Sequence, residues 1–328
     1  MKTKAISLIS GGLDSVVSTK LIMDQGIEVI GLHFTSVFQN KMKSQRGLMA
    51  KKSAEELGIK LIIIEKGMDY IDLIMNPSHG YGKNMNPCID CRIYMLKKAK
   101  EVMLEEGAEF LITGEVLGQR PMSQRKDAIN LIEKKSGLKG LILRPLSAKL
   151  FPPTIPEQKG QIDRSKLLDI AGRSREVQFA MVQNYNLKEF SLPGGGCLLT
   201  DPIFSKKFKD LIKYQSNITM TDIELLTIGR HFRVDEKTKI IVGRDKGENE
   251  KLLLLKEGFT SVTPFNFPGP SALIKGDINQ WVIKLTANII GHYSKIKEEK
   301  ITISIDDVEI LECPLKADIF EYLEQIKI

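Results

Sequence analysis

The turn at residues 10–15, with the sequence Ser-Gly-Gly-Leu-Asp-Ser, most constrains the fold of this 328-residue chain, and we call it the phosphate turn. It follows an apolar, strand-like run at residues 5–9 and precedes a helix-like run at residues 15–23. Two adjacent glycines let backbone N–H groups close around an anion, and the positive end of the next helix dipole adds to the attraction. A Walker loop has four residues between its glycines, followed by Gly-Lys-Ser/Thr. The pattern therefore predicts a phosphate site of another kind, and the alternative is an ordinary glycine-rich turn.

An alternation of short apolar runs with longer amphipathic ones extends from residue 5 to about residue 145. This alternation is typical of an α/β fold with a parallel sheet and helices on both faces. We expect strands at residues 5–10, 28–34, 60–65, 109–113 and 140–143. We expect helices at residues 13–25, 44–57, 90–106, 122–135, 164–170 and 173–185. This first domain is predicted to span residues 1–200.

The chain changes character after residue 201, where short strand candidates mix with helices. The strands are expected at residues 239–243, 259–263 and 301–305, and the helices at residues 248–257 and 279–293. We therefore expect a linker at residues 201–221 and a smaller α+β domain at residues 222–328.

Composition and charge restrict the classes of function. No apolar run approaches the roughly 20 residues of a membrane span, and the start lacks the apolar core of a signal peptide, so we expect a cytoplasmic protein without a membrane segment. The formal net charge is +7, and residues 119–178 alone hold 13 Lys or Arg against 6 Asp or Glu. This excess is compatible with a polyanionic partner and also with a solvated helix face. Four cysteines in such a chain favour ligands, catalytic thiols or buried residues over a disulfide framework.

Ligands of an open parallel sheet bind outside the carboxyl ends of its strands, and the phosphate turn follows the first predicted strand. The residues expected to hold a nucleotide follow this strand and two others, and they are Ser10, Gly11, Gly12, Asp14, Ser15, His33, Phe34, Thr113, Gly114 and Gln119. We expect His33 and Phe34 to lie beside an adenine, although a histidine at such a position is also compatible with an ordinary buried residue. A carboxylate at this edge, Glu115 or Asp14, suits Mg²⁺.

The phosphate turn resembles the SGGxDS signature of the PP-loop ATP pyrophosphatases, which adenylate a carbonyl or carboxyl oxygen and release pyrophosphate. A second stretch, Gly114-Glu115-Val116-Leu117-Gly118-Gln119 followed by Ser123-Gln124, resembles the tRNA 4-thiouridine synthetase branch of that family. The resemblance implies that ATP activates a uridine carbonyl oxygen in tRNA and that sulfur then displaces AMP. It also implies ATP and Mg²⁺ as cofactors, with catalytic roles for Asp14, Glu115 and Cys197.

Three cysteines complete the expected site. Cys88 and Cys91 have CxxC spacing at a predicted helix start, where the dipole lowers a thiol pKa, and Cys197 stands in a triple-glycine turn. The arrangement resembles the site of iron–sulfur-dependent thiolation enzymes, which implies that Cys88, Cys91 and Cys197 bind a 4Fe-4S cluster with one iron free of protein. The open alternatives are a structural zinc with Cys313 as fourth ligand, a redox CxxC pair, and persulfide chemistry on Cys197. Without zinc, we expect Cys313 to be a small buried residue.

Residues 221–272 resemble the NFACT RNA-binding domain through the stretches 229–233, 239–245 and 248–250. Arg230, His231 and Arg233, which surround Phe232, are expected to bind RNA phosphates while an aromatic ring stacks on a base, and the alternative is a basic hairpin around a core phenylalanine. Further candidates for RNA phosphates are Arg120, Arg125, Arg173 and Arg175. The expected partners are tRNA and either sulfide or a sulfur-donor protein, and the sequence leaves a homodimer open.

The sequence thus predicts an ATP-dependent tRNA sulfurtransferase. Two other functions stay open at this point. One is a PP-loop enzyme that adenylates a small molecule for amidation or sulfur insertion, and the other is a non-catalytic protein that binds nucleotide and RNA. Pyrophosphate release that depends on tRNA would exclude the non-catalytic protein.

Overall fold

The computed structural model describes residues 2–38, 44–192, 197–294, 296, 298–315 and 319–328. The chain divides into two compact units, Met1–Thr200 and Asp201–Ile328, and each is built around its own sheet. No helix in these ranges is long and apolar enough to cross a lipid bilayer.

The strands of the first unit are β1 (Lys4–Leu8), β2 (Glu28–Thr35), β3 (Leu61–Glu65), β4 (Phe110–Thr113) and β5 (Ile142–Leu143). They are parallel and lie in the order β3-β2-β1-β4-β5. Ile6 of β1 lies opposite Ile30 of β2 and Leu111 of β4. The predicted parallel α/β fold is confirmed, and all five predicted strands are present. The carboxyl ends of β1, β2 and β4 are neighbours, as a shared ligand crevice requires.

The helices of the first unit are α1 (Leu13–Met23), α2 (Ser44–Leu57), α3 (Met68–Met75), α4 (Cys88–Glu105), α5 (Lys126–Ser136), α6 (Ile155–Gln158) and α7 (Glu176–Asn184). The sequence analysis missed α3, which is only 8 residues long. The helix predicted at residues 164–170 is wrong, because only a 3-10 turn forms at Arg164–Lys166. The N–H groups of Leu168 and Ile170 donate instead to the carbonyl oxygens of Pro145 and Leu146. Pairing with a neighbouring segment outweighs local helix propensity here.

An apolar core covers each face of this sheet. Ile6 and Leu111 pack with Leu96 of α4 on one face, while Phe110 packs with Ile22 of α1 on the other. A fully buried side chain of this size contributes about 1.5–3 kcal/mol relative to an exposed one. Because both faces are covered, the polar strand ends form the edge that is open to a ligand.

The strands of the second unit are β6 (Arg230–Arg233), β7 (Lys239–Val242), β8 (Thr260–Pro264), β9 (Ala272–Lys275), β10 (Lys300–Ile305) and β11 (Glu309–Pro314). They form an antiparallel sheet in the order β11-β10-β8-β9-β7-β6. The helices are α8 (Pro202–Tyr214), α9 (Met220–Leu225), α10 (Lys246–Leu254), α11 (Gln280–Ser294) and α12 (Phe320–Ile326). A separate, mixed α and β unit follows the parallel sheet, as predicted.

The range 201–221, expected as a linker, belongs to the second unit and contains α8. Asp201 caps this helix by accepting from the N–H of Phe204 at 2.8 Å, and Phe208 and Leu211 are buried. An aspartate followed by Pro202 at the first helical position is a helix-start signal that the sequence analysis passed over.

Candidate active site

The phosphate turn connects β1 to α1, and its conformation requires glycine. Gly11 has a φ angle of 70°, and a Cβ atom on it would lie 2.6 Å from the backbone N of Ala50 in α2. Gly12 is the N-cap of α1, and its carbonyl oxygen accepts from the Ser15 hydroxyl at 2.8 Å. Ser10 Oγ accepts from the Gly12 N–H at 3.3 Å. These bonds fix the turn in front of the α1 N-terminus, where the helix dipole favours an anion.

Two distant segments hold the phosphate turn in place. A Cβ atom on Gly114, just after β4, would lie 2.6 Å from the backbone N of Ser15, so glycine is needed where β4 meets α1. Ser191 donates its backbone N–H at 2.6 Å and its hydroxyl at 3.0 Å to the carbonyl oxygen of Gly11. Its own carbonyl oxygen accepts from the N–H of Leu13 at 3.3 Å. The sequence analysis did not find Ser191, because no motif or apolar period marks it.

Asp14 lies on the first turn of α1 and is contacted by residues at the start of α7. Gln178 Nε2 donates to Asp14 Oδ1 at 3.2 Å, and Arg175 Nε lies 3.6 Å from Asp14 Oδ2. Gln178 is completely buried, and its Oε1 has no hydrogen-bond partner among the described residues. A buried amide with an open acceptor suits a ligand that donates a hydrogen bond. Arg175, predicted as an RNA contact, therefore lies beside Asp14, and Gln178 is a site residue that the sequence analysis missed.

Glu115 follows β4 and is enclosed by two arginines. Arg92 Nε donates to its Oε1 at 2.8 Å, and Arg144 Nε donates to its Oε2 at 3.0 Å, while Thr113 Oγ1 donates to Oε2 at 3.2 Å. Burial by itself raises the pKa of this carboxyl, but the charges of Arg92 and Arg144 outweigh burial and hold its pKa at about 2. Arg144 also bonds to Glu133. The two arginines neutralise the charge that would attract Mg²⁺, so this geometry does not support the expected magnesium role of Glu115.

His33 and Phe34 lie at the carboxyl end of β2, where an adenine was expected. His33 is buried, and its Nδ1 lies 2.9 Å from the carbonyl oxygen of Ile9. Burial lowers the pKa of His33, so the ring is neutral near pH 7, Nδ1 donates, and Nε2 is an acceptor without a partner in the described part of the chain. Phe34 is only 6% exposed and packs in the sheet core, so it offers no face to an adenine. Gln119 is also buried, with no described partner for its Nε2.

Cys88 and Cys91 lie on the first turn of α4. Asn86 Nδ2 lies 3.2 Å from Cys88 Sγ. Tyr70 donates its hydroxyl to Cys91 Sγ at 3.0 Å, and Lys66 Nζ lies 3.5 Å from the same sulfur. Burial raises the pKa of Tyr70, and charge on Cys91 acts in the same direction, so this hydroxyl stays protonated as a donor. Cys91 therefore has two donors directed at its sulfur.

Cys197 lies near enough to Cys88 and Cys91 for their charges to influence its pKa. Its side chain is exposed in part, yet burial of the sulfur raises the pKa of Cys197 to about 11, and charges on Cys91 and Cys88 add to that effect. No group of three His, Cys, Asp or Glu side chains within the described ranges is arranged to hold a metal ion. The glycines of the turn before Cys197, at residues 194–196, lie outside those ranges. Cys313 is wholly buried in the core of the second unit, as expected for a small core residue.

Arg120, Arg125 and Arg173 are exposed on the first unit. Arg125 pairs with Asp127 at 2.8 Å. Burial raises the pKa of Cys88, and the charge of Arg120 opposes that rise, so Arg120 lies near the cysteine pair. The first unit holds 29 Lys or Arg against 21 Asp or Glu, and the second holds 19 against 20. The net positive charge of the chain therefore resides in the first unit.

The stretch Arg230–Arg233 of the second unit has mainly a structural role. Arg233 donates from Nε and Nη2 to both carboxylate oxygens of Asp210, at 2.9 and 2.8 Å. Phe232 is completely buried and cannot stack on a base, so it is the core phenylalanine of the alternative stated from the sequence. The guanidinium of Arg230 lies 4.1 Å from the ring centre of Tyr293 and is half-buried. Of the two arginines predicted here as phosphate contacts, Arg230 alone has no carboxylate partner among the described residues.

Two family models match the chain. Residues 1–149 match the model described as thiamine biosynthesis protein (ThiI), and residues 229–312 match the NFACT protein RNA binding domain. Residues 1–149 are thus similar to ThiI, and residues 229–312 are similar to the NFACT RNA-binding domain. The ThiI match contains the phosphate turn and the pair Cys88 and Cys91, while Cys197 lies beyond it. Both resemblances stated from the sequence are confirmed.

Curated relatives of the ThiI domain match parts of the chain. The tRNA-specific 2-thiouridylase MnmA of Pelotomaculum thermopropionicum is 28% identical over 219 residues, which are 56% of this chain and 57% of that protein. The probable tRNA sulfurtransferase of Thermococcus kodakarensis is 27% identical over 168 residues, which are 51% of this chain and 40% of that protein. The chain thus spans about half the length of these relatives.

Among solved structures, the chain has some similarity to the U34-tRNA thiolase NcsA from Methanococcus maripaludis with its 4Fe-4S cluster. It covers 69% of this chain and 70% of its own, at 18% sequence identity and a TM-score of 0.35. A TM-score this low does not establish a shared site.

Proposed function

We propose that the first unit is an ATP-dependent tRNA sulfurtransferase, which adenylates a uridine carbonyl oxygen and replaces that oxygen with sulfur. One observation carries this proposal. A single ThiI domain holds both a phosphate turn at the start of α1 and two thiols at the start of α4, so it contains groups suited to the nucleotide and to the sulfur.

The phosphate turn and the α1 N-terminus hold the triphosphate of ATP. Asp14 is the candidate ligand of the Mg²⁺ that accompanies ATP, because its side chain keeps 18% exposure and faces one arginine rather than two. The uridine carbonyl oxygen attacks the α-phosphorus, and pyrophosphate leaves. Hydrosulfide then adds to the carbon, the bond from that carbon to the AMP oxygen breaks, and AMP and a proton are released. The exchange of oxygen for sulfide transfers no net electrons.

Cys88, Cys91 and Cys197 are the candidate ligands of a 4Fe-4S cluster. Thiolates are the usual protein ligands of such clusters, and Cys88 and Cys91 lie three residues apart on one helix face. The electrostatic influence of both thiols on Cys197 supports their proximity. A bound cluster of this type would carry sulfide on the iron that no cysteine holds. Persulfide chemistry on Cys197 is the second candidate, and the partial exposure of that thiol favours it.

The proposed RNA substrate is tRNA. The NFACT RNA-binding domain and the positive charge of the first unit support this proposal. Arg120 and Arg173 are exposed and suited to phosphates, whereas we assign Arg175 to the nucleotide site and Arg233 to the structure of the second unit. A homodimer and a cytoplasmic location remain predictions.

Mass spectrometry of tRNA nucleosides tests the proposal. The full chain, reconstituted anaerobically with iron and sulfide, is incubated with ATP, Mg²⁺, sodium sulfide and tRNA from a strain that lacks the protein. We expect a thiouridine and one pyrophosphate for each thiouridine formed, and the fragmentation pattern identifies the carbon that carries sulfur. Asp14→Asn is expected to abolish pyrophosphate release.

Variants separate the steps of the proposed reaction. Cys91→Ser is expected to abolish thiolation while tRNA-dependent pyrophosphate release persists, and Cys313→Ala, a matched control in the second unit, retains both. Pyrophosphate release without thiouridine in the native protein would contradict the sulfur transfer. Release that does not respond to tRNA would favour adenylation of a small molecule.

A further inference from the structure

Lys66 is a buried lysine at the cysteine pair. It follows β3 directly, and only 7% of it is exposed. Its Nζ lies 4.4 Å from the ring centre of Tyr70 and 6.0 Å from that of Phe34. The same nitrogen lies 3.5 Å from Cys91 Sγ. The ammonium group is therefore enclosed by two aromatic rings and one sulfur.

No carboxylate in the described part of the chain forms an ion pair with this ammonium group. None of the ion pairs among the described residues involves Lys66, and its acidic neighbour Asp69 accepts instead from the hydroxyl of Tyr94 at 2.9 Å. The stretches 39–46 and 193–196 contain no Asp or Glu in their sequence. Burial of an unpaired ammonium group is unfavourable, and contacts with aromatic rings offset only part of that cost. Negative charge on the Cys91 sulfur, or on an anion bound beside it, would therefore stabilise this ammonium group.

The chemistry around Lys66 selects the kind of anion. Tyr70 and Lys66 both direct hydrogen-bond donors at the Cys91 sulfur, from one side of the α4 N-terminus, which itself favours negative charge. The charge of Lys66 also acts on His33, whose Nδ1 is bonded to the carbonyl oxygen of Ile9 just before the phosphate turn. The same charge acts on Cys197. Lys66 is therefore in contact with Cys91 and lies within electrostatic reach of His33 and Cys197.

We infer that Lys66 and Tyr70 form a binding site for an anionic sulfur species, hydrosulfide, at the side of Cys91 that faces the nucleotide crevice. The ammonium group balances the charge of the bound anion, and the Tyr70 hydroxyl, which donates to Cys91, holds that thiol beside the anion, while neither group transfers a proton in the step. The hydrosulfide lone pair forms the new bond to carbon, and the bond from carbon to the AMP oxygen breaks. This inference rests on the proposed function, and it makes Lys66 a residue that acts after adenylation.

The comparison of Lys66→Met with Lys66→Arg tests the inference, because methionine preserves the apolar stem and removes the charge, while arginine retains the charge. Lys60→Met is the matched control, since its ammonium is 59% exposed and pairs with Glu106 at 2.7 Å. Binding of radiolabelled sulfide to the reconstituted chain is measured by equilibrium dialysis without ATP or tRNA. We expect Lys66→Met to weaken sulfide binding by about tenfold or more, the size expected for one charge-assisted hydrogen bond. Lys66→Arg should recover most of the affinity, and Lys60→Met should match the native chain.

A second measurement assigns the effect to a step. We expect Lys66→Met to raise the KM for sodium sulfide in the thiolation assay by about tenfold, while tRNA-dependent pyrophosphate release and iron content stay within about twofold of native. Equal sulfide binding by native and Lys66→Met protein would overturn the inference, as would undetectable binding by the native chain. Equal losses of pyrophosphate release and sulfide binding would also overturn it, because they would indicate a structural role. If the native chain binds sulfide through Lys66 yet forms no thiouridine, the proposed function fails while the site stands.

Discussion

Replacement of Glu115 by glutamine removes the charge that two buried arginines share. The pKa of this carboxyl is held at about 2, against 4.5 for an unperturbed glutamate, and this difference corresponds to about 3 kcal/mol of stability near neutral pH. Loss of one member of a buried ion network costs a similar amount, about 3–5 kcal/mol, because Arg144 is only 4% exposed and would keep Glu133 alone. We therefore expect Glu115→Gln to lower the free energy of unfolding of the first unit by about 3 kcal/mol.

The two units supply an internal control for this measurement. Trp281, the one tryptophan of the chain, lies in the second unit, so its fluorescence follows that unit, while circular dichroism follows the helices of both. In urea and without Mg²⁺, Glu115→Gln should shift the dichroism transition of the first unit and leave the fluorescence transition unchanged. The shift is about 6–12 °C when the same comparison is made by heating. Glu101→Gln, on the exposed face of α4, should cost less than about 1 kcal/mol.

The pH dependence has a definite sign. Because the folded-state pKa of Glu115 lies below its unfolded value, the stability that it contributes is complete above about pH 4.5 and is lost as the pH falls towards 2. The difference between native and Glu115→Gln proteins should therefore shrink over that window. If Glu115→Gln costs less than about 1 kcal/mol in magnesium-free buffer but weakens nucleotide binding, Glu115 is a metal ligand and the ion-network reasoning fails.

Three further changes test other parts of the chain. Gly11→Ala should abolish ATP binding, measured by calorimetry, because the added Cβ meets the backbone of Ala50 at 2.6 Å at a φ of 70°; native affinity would show that the turn can move. Arg233→Ala should lower the free energy of unfolding of the second unit, measured in urea, by about 2 kcal/mol or more, because Asp210 loses the arginine that donates two hydrogen bonds to it. An effect on RNA binding alone would contradict this. Burial lowers the pKa of Lys207 to about 8, so the unfolded chain holds this proton more tightly than the folded one, and the second unit should gain stability as the pH rises from about 8 to 10.5. The gain should be absent in Lys207→Met. Equal slopes of the free energy of unfolding against pH for the two proteins would refute this.

The sequence predicts the features that local patterns encode. Strands β1–β5 follow from alternating apolar runs, and the phosphate turn follows from its glycine pair. The position of Cys88 and Cys91 at a helix start was likewise predictable, because the polar loop before them and the helical period after them are both local. These features depend on neighbours within a few residues in the sequence.

The partners of charged and buried groups could not be predicted in the same way. Glu115 has an acceptable sequence context for a metal ligand, and only the fold brings Arg92 and Arg144 to it, from 23 and 29 residues away. Phe34 is the penultimate residue of a strand that is covered on both faces, so its burial depends on helices whose packing a single sequence does not specify. Gln178 reaches Asp14 across 164 residues, and no motif marks it.

The contact between Ser191 and Gly11 has a consequence for how the protein is made. These residues are 180 positions apart, and the match to the ThiI model ends at residue 149, so a fragment cut there would carry the phosphate turn without Ser191. At ordinary rates of protein synthesis, the ribosome needs on the order of 10–40 s to progress from the first of these residues to the second. A nascent chain can therefore form β1 and α1 early, yet it acquires a fully shaped nucleotide site only after nearly all of the first unit has been synthesised.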